Sequence, residues 1–168
     1  MLNIDHTISS WLDQLTDFSP FWGDVAVFCA RYLVYLFVFF AFFGHLQSSH
    51  PQALFLMLLS LALGYAVTLG IAFTLRRKRP YEYLGDRKHM HLPVYTPSFP
   101  SGHATLAFAI AGSFVGSYSG IILLVVMVIA SIIAVSRVIV GVHYVSDILA
   151  GAVIGLAANW FIGTYFLV

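Results

Sequence analysis

Charged side chains are what this chain lacks most: Asp, Glu, Lys and Arg make up 9% of its 168 residues, against roughly 25% in an ordinary soluble domain. That shortage excludes a globule whose whole surface faces water. With 60% hydrophobic residues and a mean hydropathy of +0.90, lipid is the expected solvent. Cysteine is nearly absent as well. The single thiol, Cys29, excludes an internal disulfide and carries no redox or metal pattern, so it reads as a spectator. Four of the six prolines fall between Arg76 and Pro100, which leaves the apolar stretches almost free of helix breakers. A net charge of +1 leaves no electrostatic footprint for nucleic acid, and none is expected as a partner. Nothing implies an obligate protein partner.

About twenty apolar residues cross the hydrocarbon as a helix. Val25–Phe43, Ala53–Leu75, His103–Tyr118, Ile121–Val140 and Ile148–Val168 each come near that length, so the expected fold is an all-α polytopic bundle of about five spans. The third is short and rich in Ala, Gly and Ser, which suits a helix packed among neighbours. Residues 1–20 lack the basic start of a signal peptide, and Asp5, Asp13 and Asp17 interrupt their apolar positions. Ile4, Ile8, Trp11, Leu12, Leu15 and Phe18 recur at helical spacing, which predicts an amphipathic helix lying at the interface. There is no internal repeat or low-complexity tract. Residues 1–168 are expected to form one membrane-embedded domain, with 1–20 as the interfacial helix and 76–101 as a long loop on the active face.

The connections are unequal. Gly44–Gln52 and Ser117–Gly120 carry no Asp, Glu, Lys or Arg, whereas seven of the eight Lys and Arg residues lie between Arg76 and Lys88 or at Arg137. Five spans put the N-terminus, the long loop and the Gly141–Val145 turn on one face. That face therefore collects Arg79-Pro80, Pro100-Ser101-Gly102-His103, Ser136-Arg137, His143 and Asp147. Ionisable groups are costly near the middle of a membrane, so such a cluster reads as a site. His143 and Asp147 are four apart and share a helical face, where a carboxylate on one ring nitrogen leaves the other as a nucleophile.

Arg-Pro, Pro-Ser-Gly-His and Ser-Arg with five residues before His and three more before Asp, in register across five apolar stretches, resemble the type 2 phosphatidic acid phosphatase superfamily of integral membrane lipid phosphatases. The match runs from Arg79 to Asp147. It implies that His143 attacks phosphorus to form a phosphohistidine, with Asp147 orienting it. His103, at a helix start, would protonate the leaving group and then deprotonate the hydrolytic water. Ser101 and Gly102 would let phosphate approach the helix N-terminus. Arg79 and Arg137 would clamp its oxygens as planar, permanently charged donors. Phosphoryl transfer of this kind needs positioning and charge stabilisation, so neither metal nor cofactor is expected. His89 and His91 read as solvated loop residues, and Tyr81, Tyr83, Met90, Tyr95 and Phe99 as interface anchors or a headgroup entrance.

One element of the family pattern is missing. The lysine usually found seven residues before the arginine is Ala72 here. On a continuous helix at about 100° per residue, Arg76 would fall about 60° from Arg79 and supply that charge, while Arg77 and Lys78 would face headgroups or acidic neighbours. Arg31 is expected to snorkel or to pair with Asp24. The expected substrate is a membrane lipid phosphate or diphosphate, foremost undecaprenyl diphosphate. Phosphatidylglycerophosphate, phosphatidate and lipid A phosphates stay open, as do a vanadium haloperoxidase and a non-catalytic lipid-phosphate binder or translocator. Counting positive charges places Arg76, Arg77, Lys78, Arg87 and Lys88 in the cytosol. The resemblance to bacterial members instead implies an inner-membrane protein whose active face looks to the periplasm or outside, and we adopt that expectation.

Overall fold

The apolar stretches form helices in the computed structural model, which describes residues 5, 7, 20–48, 51–84 and 96–166. In chain order they are α1 (Pro20–Arg31), α2 (Leu33–Leu46), α3 (Pro51–Leu75), a single turn α4 (Tyr81–Leu84), α5 (Gly102–Gly112), α6 (Gly120–Ile139) and α7 (Val145–Phe166). Large apolar side chains such as Phe40, Ile121, Val153 and Trp160 are exposed on their outer faces. That is the surface a bilayer covers.

Among the described residues three helices, α3, α6 and α7, are long and apolar enough to cross a membrane, and α1 with α2 makes a fourth if the bent pair is one span. The five expected stretches all appear, and two depart from a simple span. The first is broken at Tyr32, where α1 and α2 meet at 49°. No proline lies there. Instead the Ala30 carbonyl accepts a hydrogen bond from Arg137 Nη1 at 2.5 Å, and a side chain that takes a carbonyl out of the i→i−4 ladder kinks a helix. The third, α5, has 11 residues, about 16 Å of rise against roughly 30 Å of hydrocarbon.

Helix α5 is the buried centre of the bundle, packed against α7, α3, α6 and α2. Ala104, Thr105, Ala107, Ala109, Ile110 and Ala111 are all fully buried. Small residues make this possible, because helices in lipid associate through close backbone packing. A Cβ on Gly151 would stand 2.5 Å from the Ser101 carbonyl oxygen, and one on Gly155 would collide with the Thr105 carbonyl. Gly155→Leu should therefore lower the thermal midpoint in micelles, since overpacking costs about 1–3 kcal/mol. Gly163→Ala, where nothing lies within 4 Å, should not. Equal midpoints would refute this account of the α5–α7 contact.

Where α5 stops, side chains take over its polar ends. His45 Nε2 and Ser113 Oγ are 2.9 Å apart, and the Tyr118 hydroxyl lies 2.9 Å from His45 Nδ1. Buried polar groups in lipid need such partners. This cluster and the short loops occupy one end of the bundle, and the motif residues occupy the other.

Candidate active site

The spacing from Arg137 to His143 has a backbone cause. Helix α6 ends in a left-handed turn at Gly141, with φ +71°, where Gly141 N–H donates to Val138 O at 2.9 Å and Val142 N–H to Arg137 O at 3.1 Å. These are the paired bonds of a Schellman ending. His143 N–H also donates to Arg137 O, at 3.2 Å. Tyr144 then caps α7, and Asp147, in the first turn, accepts from Tyr144 N–H at 2.9 Å, half of a capping box. The reversal from α6 to α7 thus brings Arg137 and His143 to one cavity.

Behind the cavity wall, His143 Nδ1 stands 3.4 Å from Asp147 Oδ2. The same oxygen accepts from Ser98 Oγ, and Asp147 Oδ1 accepts from Arg77 Nη1 at 2.7 Å. Both His143 and Asp147 are buried. The carboxylate fixes Nδ1 as the protonated nitrogen, which leaves Nε2 with its lone pair. Burial in the turn pushes the His143 pKa down to about 4; Asp147 opposes the shift and the Arg79 and Arg137 charges add to it. His143 is therefore neutral at physiological pH.

Arg79 is built in from three sides. Its Nε donates to the Thr96 carbonyl at 2.8 Å, Nη2 to Thr96 Oγ1 at 2.7 Å and Nη1 to the Val142 carbonyl at 3.0 Å. Nη1 also comes within 3.5 Å of His143 Nε2. Its backbone N–H donates to Glu82 Oε1 at 2.8 Å, so the turn after Pro80 is itself capped. A guanidinium held this way keeps its position before any phosphate arrives, which is the preorganisation that charge stabilisation requires.

At the start of α5, Ser101 N–H donates to the Asp147 carbonyl at 3.0 Å, tying this helix to α7. Gly102 and His103, the first two residues of α5, line the cavity, and a helix N-terminus offers free N–H groups to an anion. Ser101, expected to bind phosphate, is not among the residues that line the cavity. Its side chain is the N-cap, accepting from Ala104 N–H at 3.5 Å, and the residue is fully buried behind the wall.

Arg76, expected to supply charge to the phosphate, is not among the cavity's lining residues either. The expectation assumed a helix continuing to Arg79, but α3 ends at Leu75. Arg76 takes the left-handed conformation at φ +48°, which a side chain adopts only at a cost. It is exposed, and its Nε donates to the Phe73 carbonyl at 3.1 Å. We expect Arg76→Ala to keep kcat/KM within about threefold of the wild type; a loss of tenfold or more would restore the original assignment. Ala72 does line the cavity. Arg31 lies over the Tyr32 ring, 5.5 Å from its centroid, away from the cavity lining.

The cavity holds about 550 Å³. Its polar end carries Arg79, Arg137, His103 and His143, and its other walls include Val34, Leu69, Phe73 and Leu106. A doubly charged headgroup with an apolar chain fits that division. Tyr35 and Tyr65 also line it, residues that no motif signalled. Thr96 and Ser98 carry no motif signal either, because their contacts are long-range, whereas Arg77, expected to face headgroups or acidic neighbours, pairs with Asp5 and Asp147. Among the described residues, no three His, Cys, Asp or Glu side chains converge as a metal site requires. His89, His91, Met90 and Tyr95 lie outside the described residues, as do the Tyr83 side chain and nearly all of the expected interfacial helix. Tyr81 is partly buried against the cluster of Ala26, Ala30, Val140 and Val142. Cys29 is half-buried on a separate apolar cavity between α1 and α6.

The PAP2 superfamily profile matches residues 53–167. A proposed undecaprenyl-diphosphatase of Escherichia coli K12, YbjG, is 30% identical over 162 residues, covering 92% of this chain and 78% of the relative. The decaprenylphosphoryl-5-phosphoribose phosphatase of Mycobacterium tuberculosis is 38% identical over 94 residues, covering 54% of this chain and 49% of that one. The crystal structure of a PAP2-type phosphatidylglycerolphosphate phosphatase from Bacillus subtilis superposes with a TM-score of 0.76 at 24% identity, covering 96% of this chain and 84% of the other. Apolar helices, a cavity joining buried arginines to a His–Asp pair, and these likenesses agree: the chain belongs to the PAP2 superfamily, as an integral membrane lipid phosphatase of that type.

Proposed function

We propose that this protein releases the terminal phosphate of a polyprenyl diphosphate, foremost undecaprenyl diphosphate, without a metal and through a phosphohistidine on His143. The observation that carries the reading is the shared cavity. A neutral imidazole backed by a carboxylate faces two buried guanidinium groups at the polar end of a pocket with apolar walls. In the first step the Nε2 lone pair of His143 attacks phosphorus while the bond from phosphorus to the bridging oxygen breaks. His103, on which the negative charge of the bound phosphate holds a proton, gives that proton to the bridging oxygen. In the second step His103 takes a proton from water, the water oxygen attacks phosphorus and the P–N bond breaks. Neutral His143 and inorganic phosphate result. Arg79 and Arg137 hold the equatorial oxygens throughout, with the N–H groups at the start of α5.

Two sequence relatives whose names specify undecaprenyl and decaprenyl lipids support a polyprenyl substrate. Phosphate release from undecaprenyl diphosphate in detergent micelles containing EDTA tests the reading. Turnover that persists with the chelator and is blocked by vanadate is expected. Turnover that vanishes and returns with Mg²⁺ would contradict it.

We further propose that the site faces the periplasm or exterior of a bacterial inner membrane. Lys78 is exposed beside the site, so Lys78→Cys in a Cys29→Ser background should react with an impermeant maleimide in intact cells. Reaction only after permeabilisation would reverse the orientation.

A further inference from the structure

The residues behind the His–Asp pair form a chain of alternating charge that reaches the N-terminal segment. Arg77 Nη1 donates to Asp147 Oδ1 at 2.7 Å and to Ser146 Oγ at 2.6 Å, and Nη2 donates to Asp5 Oδ2 at 2.7 Å. Asp5 Oδ1 accepts from Ser146 N–H at 3.2 Å, and Asp5 Oδ2 accepts from Ser146 Oγ. The Arg77 guanidinium also lies over the Tyr144 ring, 4.0 Å from its centroid. Burial works against the Asp5 charge, but hydrogen bonds from Ser146 and Arg77 outweigh it and hold the carboxyl below its usual range.

We propose that Arg77 is a positioning residue for the reaction, acting through Asp147 on His143, and that Asp5 holds it in place. The division of labour at Asp147 carries this inference. Oδ2 faces His143, Ser98 and the Tyr144 N–H, whereas Oδ1 has Arg77 as its one hydrogen-bond partner among the described residues. Arg77 therefore fixes the rotation of a fully buried carboxylate, the kind of outer contact that orients an imidazole. It also sets the charge. With Arg77 present, Asp147 is a weaker base and leaves the proton on His143 Nδ1; without it, a buried carboxylate keeps its full charge beside the ring and draws a second proton to Nε2. The other charged or titratable groups around His143 are Arg79, Arg137, His103, Tyr35 and Tyr65 on the cavity and the adjacent Tyr144, and the residue that bonds Oδ1 of Asp147 is Arg77.

The test rests on the phosphatase reading only in its kinetic arm. In the full chain in micelles, the His143 ring nitrogens are titrated by ¹⁵N NMR, with the signals assigned by their loss in His143→Gln. Arg77→Met should raise the His143 titration by about one pH unit or more, and Arg77→Lys, which keeps the charge, should leave it near the wild-type position. In the kinetic arm, Arg77→Met should lower kcat at least about tenfold with KM changed less than about threefold. Arg77→Lys should recover part of that rate, because it restores charge without the two-pronged fork. Asp5→Asn, distant from the reacting groups, should lower kcat about threefold in the wild type and have no effect in Arg77→Met, a non-additivity that marks one pathway.

An unshifted His143 titration in Arg77→Met, or additive effects of the Asp5 and Arg77 changes, would overturn the inference. Should the wild type release no phosphate from undecaprenyl diphosphate, the substrate reading falls, and the titration still decides the role of Arg77.

Discussion

His143→Ala is expected to remove turnover almost completely, by about 10⁵-fold in kcat, or roughly 7 kcal/mol of transition-state stabilisation. The loss should be this large because the hydroxyls of Tyr35, Tyr65, Thr68 and Thr96 on the cavity are weak nucleophiles unless activated. Arg79 and Arg137 are cations without a lone pair to offer, and His103 stands at the start of another helix, where its proposed task is on the opposite side of phosphorus. Binding should survive. The Arg79 anchors on Thr96 and Val142 do not involve the imidazole, so the variant should bind substrate within a few-fold of the wild type. A His143→Ala protein that turns over at a tenth of the normal rate would mean that another nucleophile or a direct attack by water carries the reaction.

The second large effect belongs to His103. Removing a general acid and base costs about 10²- to 10⁴-fold, and the cost should depend on what leaves. With a lipid diphosphate, His103→Ala loses both proton transfers. With a substrate whose leaving group is a stable anion, such as p-nitrophenyl phosphate, the first step should return to near its normal rate while hydrolysis of the phosphoenzyme stays slow. A burst of p-nitrophenol followed by slow turnover is the expected trace. Equal losses on both substrates, with no burst, would assign His103 to binding instead.

Sequence revealed most where chemistry and local backbone coincide. The pairing of His143 with Asp147 follows from a four-residue spacing at a helix start, and Arg137 comes with them because a Schellman turn always returns the chain in the same way. The buried character of α5 was legible in its Ala, Gly and Ser content. What was not legible depends on contacts between distant residues. The bend at Tyr32 arises because Arg137 takes the carbonyl of Ala30, and no local pattern announces it. Arg76 departs from helical-wheel geometry for a related reason: α3 ends at Leu75 rather than running on to Arg79, and Pro80 disfavours helical geometry before it. Once α3 stops there, it is Arg77 that turns inward to Asp147 and Asp5. The N-cap bond of Ser101 was not legible either, since an N-cap serine and a phosphate-binding serine look alike in sequence.

The most direct test of the account is to trap the covalent intermediate. In His103→Ala, reaction with ³²P-labelled p-nitrophenyl phosphate should load the protein, because the first step no longer needs a proton and the second is slow. Denaturing in alkali, digestion and peptide mapping should then place an acid-labile, alkali-stable phosphate on the peptide that contains His143, and the His103→Ala, His143→Ala double variant should carry none. Label on any other residue, or label that persists without His143, would contradict the mechanism.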